Sequence, residues 1–234
     1  MELKRFFLTS LEGTTATLTG EEFYHCVKVT RHKEGFLFVG CTGDGFDYTC
    51  RIVSIHPDRL IAEVLEREPN RTEPEGNVVL LQGLCKEFDF ICQKAVELGV
   101  TEIVPFTSVR SNVDKFRRER LEKIIRDAAK QCGRAIVPFL RDPCDFGDAV
   151  RRIPDAYQKI MCYEEEVATP LASAVDDRKN LAMVIGSEGG FEAGEADLAR
   201  EYGFTTVSLG KRILRAETAA VAALTLAMNA LGEL

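Results

Sequence analysis

The sequence predicts an α/β protein built in two parts, a small β-barrel followed by a parallel sheet covered by helices on both faces. Three observations predict it. Residues 1 to about 70 carry short alternating apolar stretches broken by turn residues, the texture of a small barrel. Residues 66–77 are polar and hold Pro69 and Pro74, which marks a linker. From Val78 onward, continuous apolar runs alternate with amphipathic helical patterns, as in a sheet of parallel strands. A chain of 234 residues has room for one large domain or two small ones, and these signals divide it into 1–70 and 71–234.

In the first part, Thr15-Ala16-Thr17-Leu18 leads to Thr19-Gly20, and Phe36-Leu37-Phe38-Val39 leads to Gly40. Gly43-Asp44-Gly45 reads as a tight turn before a strand over 46–53, and Leu60 to Leu65 reads as another. The single helix predicted here spans Glu21 to Arg31, with Phe23, Val27 and Thr30 on one face. In the second part, Val78 to Leu84 is a buried strand. Asp89 to Leu98 is a helix with Phe90, Ile91, Lys94, Ala95 and Leu98 near one face and Gly99 just past its end. Glu102 to Phe106 is a strand. Arg117 to Cys132 is a helix whose Leu121, Ile124, Ile125, Ala128, Ala129 and Cys132 step by three and four. Strands over 157–163, 181–186 and 205–209 and a helix over 215–231 complete the pattern.

Composition excludes several functions. With 45% apolar and 29% charged residues the chain is not a disordered or low-complexity protein. Its net charge of −7 has the wrong sign for bulk attraction to nucleic-acid phosphate, although a local basic patch is compatible with it. The longest uncharged run, Thr218 to Gly232, is too short and Ala-rich for a membrane span, and Met1 to Gly13 carries no secretory apolar region. No two of the eight cysteines form a C-x-x-C pair, and Cys, His25, His32 and His56 lack metal-ligand spacing. Reduced, buried thiols in a cytoplasmic protein without a metal are the expectation.

Three segments carry chemistry. The glycine-rich Ile185-Gly186-Ser187-Glu188-Gly189-Gly190-Phe191 follows a buried strand, where ligands bind in parallel sheets; the same pattern also serves a plain tight turn. It is neither a Walker loop nor G-x-G-x-x-G. Leu209-Gly210-Lys211-Arg212-Ile213-Leu214-Arg215-Ala216-Glu217-Thr218-Ala219 ends another strand and enters a helix whose first amides suit an anion; Glu217 alternatively only compensates the helix dipole. Between Arg110 and Arg134 nine cations face four acids, Asp114 and Lys115 included, for a local charge of 9 − 4 = +5. That run is either a solvated helix face or a phosphate-binding one.

Taken together, these motifs resemble the 16S ribosomal RNA (uracil-N3)-methyltransferase family of the knotted SPOUT class, over nearly the whole chain. Besides the two C-terminal motifs, residues 93–100 (QKAVELGV) and 128–134 (AAKQCGR) are similar to its middle segments, and Arg5-Phe6-Phe7 and residues 25–31 (HCVKVTR) to its N-terminal ones. The chain departs from the family at Thr30, Ser187, Glu192 and Ala216, where Leu, Pro, Ser and Thr are usual. The resemblance implies a PUA/OB-like β-barrel for RNA binding, a trefoil-knot methyltransferase domain, an S-adenosylmethionine pocket in the knot, and a homodimer acting on 16S rRNA within the small ribosomal subunit.

On that basis Ile185, Gly186, Glu188, Gly189, Gly190, Leu209, Gly210, Ile213 and Leu214 are expected to hold the cofactor, the last two against adenine. Arg215 is expected to stabilise the uracil anion left when N3 loses its proton. Glu217 or Glu188 would accept that proton, although Glu217 equally suits a role bracing Arg215. Arg5, Lys28, Arg31, Arg110, Arg134 and Arg212 are expected to meet RNA. Two other functions remain open: 2′-O-ribose methylation on the same fold, and non-catalytic RNA binding with a vestigial pocket.

Overall fold

The structure, a computed structural model, describes residues 3–111 and 116–234. Asp114 and Lys115 of the basic run lie outside the described residues. The chain forms two compact units: one extends to Glu73 and takes in Ala129–Val137, the other comprises Pro74–Ala128 and Pro138–Leu234.

The first unit contains β1 (Arg5–Phe7), β2 (Ser10–Glu12), β3 (Thr15–Thr19), helix α1 (Gly20–Tyr24), β4 (Leu37–Cys41), β5 (Phe46–Ile55) and β6 (Arg59–Pro69). Its sheet has the order β1-β4-β5-β6-β3-β2. The two edge strands, β1 and β2, are consecutive in sequence. Leu8 N–H donates to Cys41 O at 2.8 Å and the next amide, Thr9 N–H, to Thr17 O at 2.9 Å, one on each edge. Consecutive Cα atoms lie about 3.8 Å apart, so the edges meet and the sheet curls into a barrel. Phe6, Ala16, Leu18, Phe38, Cys50, Ile52, Leu60 and Ala62 fill its interior.

Two features differ from expectation. Residues 66–69 are strand rather than linker, since Glu66, Arg67, Glu68 and Pro69 pair with Thr49, Tyr48, Asp47 and Phe46. Charged residues on both faces hide that strand from a reading based on alternation, but Arg67 spreads its guanidinium 3.4 Å from the centroid of the Phe46 ring. The helix predicted to Arg31 stops being α-helical at Tyr24 and continues as a π-helical turn, His25–Val29. The Thr30 hydroxyl donates to Cys26 O at 2.7 Å, and Arg31 takes a left-handed φ of 57° that reverses the chain. Within this unit, Asn70 and Thr72 donate to Gly133 O and Glu73 pairs with Arg134, which ties residues 70–73 to the segment Ala129–Val137.

The second unit runs β7 (Val78–Gly83), α2 (Phe88–Glu97), β8 (Glu102–Thr107), α3 (Arg118–Gln131), β9 (Phe139–Leu140), β10 (Cys144–Asp145), α4 (Phe146–Arg151), β11 (Gln158–Cys162), β12 (Leu181–Ile185), α5 (Ala193–Glu201), β13 (Thr205–Val207) and α6 (Ala216–Ala230). Every strand pair is parallel, in the order β10-β8-β7-β12-β11-β13 with β9 beside β8. β7, β11 and β12 are buried throughout, which is why they read as continuous apolar runs. The buried face of α2 is Phe88, Ile91, Cys92, Ala95 and Val96; Phe90, expected on it, is exposed. Helix α5 escapes sequence reading because it lacks a short polar cap. The Glu195 carboxylate instead accepts the Glu192 N–H at 2.9 Å and the Val109 N–H at 3.0 Å. No helix among the described residues is long and apolar enough to cross a membrane.

Candidate active site

The loops leaving β7, β11, β12 and β13 converge at the carboxyl ends of the strands of the second unit, the position at which parallel sheets bind ligands. The loop after β13 pairs with the one after β11: Ser208 N–H donates to Thr169 O at 2.8 Å, and Leu171 N–H donates to Ser208 O at 3.2 Å. Between these loops lies a cavity of about 560 Å³, within the range of small-molecule sites. Ile185, Gly186, Glu188, Gly189, Gly190, Leu209, Gly210, Arg212, Ile213, Leu214, Arg215 and Glu217 all line it, so residues from the two C-terminal motifs share one site.

Close packing shapes the glycine loop. A Cβ on Gly189 would lie 2.5 Å from Arg110 O, so this glycine is required by the protein backbone beside it. Gly190 has φ +66°, and a Cβ there would lie 1.9 Å from Glu164 Oε1. Glu164 Oε1 accepts the Phe191 N–H at 3.1 Å and anchors the turn. Phe191 is buried against Phe106 and Phe146 beneath it.

The charged groups divide by role. Glu188 Oε1 accepts the Lys86 N–H at 2.8 Å, a contact 102 residues apart in sequence. Arg215 is the N-cap residue of α6, and Glu217 sits in its first turn, where a carboxylate is favoured by the helix dipole. No ion pair joins Arg215 to Glu217 among the described residues. Burial, then repulsion from Glu188, pushes the Cys85 thiol up to about 12, and burial alone puts Cys162 at about 12. Both therefore stay protonated and serve as packing. All eight cysteines are free.

The residues expected to meet RNA fall into different environments. Lys28 and Arg31 are exposed on the first unit. Arg5 is bound to Asp47, with its Nη2 at 2.8 Å from Oδ2. Burial opposes the charge of Arg5, but its bonds to Asp47 and Cys41 outweigh this and raise its pKa. Arg134 is turned inward: its side chain is 2% exposed and pairs with Glu73 at 2.9 Å. In the second unit, Arg110 and Arg212 are exposed, and Arg110 Nε lies 3.8 Å from a Glu192 carboxylate oxygen. Several cations of the basic run meet acids outside it: Arg118 with Asp142, Arg120 with Asp89, Lys130 with Glu22 and Arg134 with Glu73. The positive charge counted along the sequence is thereby largely neutralised.

Sequence reading passed over three charged cavity residues, Lys86, Glu87 and Glu164. Each directly follows a buried strand or its first loop residues, and the rule locating ligands at strand ends was the available signal.

Fold and cavity define a ligand-binding α/β domain coupled to a β-barrel, and comparison with known proteins specifies the class. Residues 72–228 match the family described as RNA methyltransferase domain. The chain is 34% identical over 228 residues to Ribosomal RNA small subunit methyltransferase E of Bacillus subtilis, covering 91% of this chain and 89% of that protein. The crystal structure of a Ribosomal RNA small subunit methyltransferase E from Neisseria gonorrhoeae bound to S-adenosyl methionine superposes with a TM-score of 0.89 at 31% identity, over 97% of this chain and 98% of that one. A putative methyltransferase from Legionella pneumophila, in complex with the same cofactor, gives a TM-score of 0.85 at 27% identity, over 98% of each chain. The protein is thus a member of the RNA methyltransferase class with the SPOUT fold. Within that class, it belongs to the ribosomal RNA small subunit methyltransferase E family.

Proposed function

We propose that this chain methylates N3 of a uridine in the 16S rRNA of the small ribosomal subunit, using S-adenosylmethionine, as a cytoplasmic homodimer. The observation that carries this reading is the meeting of the two glycine-containing loops with Arg215 and Glu217 at one cavity. Its lining suits the cofactor. Ile185, Leu209, Ile213 and Leu214 offer apolar surface for an adenine ring, and Glu87, Glu164, Glu188 and Glu217 offer carboxylates to a positively charged sulfonium ligand. S-adenosylmethionine supplies a methyl group activated on sulfur.

The protein holds and aims the reactants. Main-chain groups at Gly186, Gly189, Gly190, Leu209 and Gly210 bind the cofactor's polar edges, and Ile213 and Leu214 cover its base. Arg215 stabilises the negative charge that spreads over uracil when N3 gives up its proton. Glu217 accepts the proton. Glu188, the other carboxylate with this potential, already accepts the Lys86 N–H, which supports a positioning role for it. Lys28, Arg31, Arg110 and Arg212 contact RNA, whereas the burial of Arg134 beside Glu73 and the pairing of Arg5 with Asp47 support structural roles for these two.

The test supplies labelled cofactor and small subunits lacking the N3 mark, then identifies the labelled nucleoside by mass spectrometry. 3-Methyluridine is the expected product, with Arg215→Ala losing at least about 100-fold in kcat. Label in a 2′-O-methyl nucleoside would replace the reaction, and full turnover by Arg215→Ala would remove its role. RNA affinity should fall steeply with salt despite the acidic chain. Sedimentation at the single-chain mass of 26.0 kDa would refute the dimer.

A further inference from the structure

We propose that Lys86 binds a phosphate beside the target nucleotide and that Glu188 holds Lys86 in position; this rests on the RNA-methylating reading above. The segment leaving β7 is fastened to the glycine loop at three successive points. Gln82 Nε2 donates to Gly186 O at 3.1 Å. Gly83 has no room for a side chain, since a Cβ would lie 2.5 Å from Ser187 N. Lys86 N–H donates to Glu188 Oε1 at 2.8 Å. These contacts fix the Lys86 backbone against the loop, while its side chain is exposed at the cavity and makes no ion pair among the described residues.

Charge explains why the site needs this group. Four carboxylates, Glu87, Glu164, Glu188 and Glu217, line the cavity against three cations, Lys86, Arg212 and Arg215. That balance favours a cationic ligand and repels the backbone of an RNA strand bringing a uridine in. Arg215 is committed to the base, so phosphate must be met by the remaining cations. Lysine is a compact, strongly hydrated point charge on a flexible stem, suited to a phosphate at a solvent-exposed rim. Its attraction acts alike on bound substrate and transition state, so it lowers KM for RNA and leaves kcat alone.

The test uses full-length K86Q, K86R and E188A with small subunits, alongside RNA-binding titrations over a series of salt concentrations. K86Q is expected to raise KM for RNA about tenfold, the size of one charge-assisted contact, with kcat within about twofold. The slope of log affinity against log salt should shrink by about 0.7–0.9, and K86R should restore most of it. Cofactor affinity of K86Q by calorimetry should match wild type. In the RNA-binding titrations without cofactor, E188A should weaken RNA affinity as K86Q does, and the double variant should bind no more weakly than K86Q. An unchanged KM and salt slope in K86Q, or a fall in kcat at constant KM, would overturn the assignment. So would additive losses in the double variant for the part given to Glu188. Absence of 3-methyluridine with wild type would defeat the reading above, whereas the salt slope needs only binding and judges Lys86 separately.

Discussion

Arg134→Ala separates a structural guanidinium from an RNA-binding one. The Glu73 carboxylate accepts four hydrogen bonds: from Arg134 Nε at 3.1 Å and Nη2 at 2.9 Å, and from the Ala135 and Ile136 amides at 2.8 Å each. The side chains of Arg134 and Glu73 are 2% and 15% exposed. Truncation removes the positive partner and leaves a largely buried carboxylate with two backbone donors. Breaking one side of a buried pair costs about 3–5 kcal/mol, and the remaining donors hold this near the lower end, about 3 kcal/mol. With a urea slope of about 1.5 kcal/mol per M for a small unit, the midpoint should fall by about 2 M. Urea unfolding of the first unit, followed through the proteolytic susceptibility of the barrel, reads this directly. Arg134→Lys keeps the charge but loses the two-pronged geometry, and should fall between. A midpoint within about 0.3 M of wild type, no more than an ordinary surface substitution costs, together with lost RNA affinity, would refute the structural assignment.

Other outcomes follow from the same structure. Gly190→Ala forces φ +66° on a side-chain residue and drives its Cβ into the Glu164 carboxylate, so cofactor affinity should drop at least about tenfold by calorimetry while the fold is retained; Glu164→Ala in the same chain should recover part of it. Asp47→Asn tests the Arg5 pair by pH. Burial raises the Asp47 carboxyl, but bonds from Arg5 and Asn70 outweigh this and hold it below the usual range. A lowered folded pKa stabilises above the unfolded value of about 3.9, so the stability gap between wild type and Asp47→Asn should be constant from about pH 7 to 5 and close as pH falls through the folded value; a gap that widens in acid would contradict it. Cys26, Cys41, Cys85 and Cys162 all have thiols raised to about 12, chiefly by burial, so a thiol reagent at pH 8 should label the native protein first at Cys132, then more slowly at the half-buried Cys144, whose thiol burial also raises, and at all eight after denaturation. Rapid native labelling of Cys85 would show an open site rather than a packed one.

Local patterns account for much of what sequence reading predicted. The long amphipathic helix α3 and the apolar strands β7, β11 and β12 match within a residue or two, because each carries its own period or run. Two of the four loops lining the cavity, those after β12 and β13, carry a local signal of a similar kind, since glycines and charges cluster directly after their strands. The extension of β6 through Glu66–Pro69 was not legible, because its pairing with Phe46–Thr49 supplies what the polar sequence conceals. Helix α5 was hidden by a cap made from Glu195, whose position depends on Val109 as well as Glu192. How much charge the basic run leaves available was not legible for the same cause: four of its cations pair with acids outside it.

The sequence by itself determined the alternation of elements, the barrel-like texture of the first part, and the residues that the two C-terminal motifs bring to the cavity. These depend on periodicity, turn chemistry and composition, which act over a few residues. Tertiary structure decided which charges remain available and which are consumed. Arg134 and Arg215 are the same residue type, both in charged neighbourhoods. One is enclosed beside Glu73, while the other stands at the start of α6 on an open cavity. Likewise, Glu188 became a latch only when the loop after β12 folded against the loop after β7, more than a hundred residues earlier in the chain. The Coulomb and hydrogen-bond energies that assign these roles depend on distances of a few ångströms and on exclusion of water, and only the folded chain fixes both.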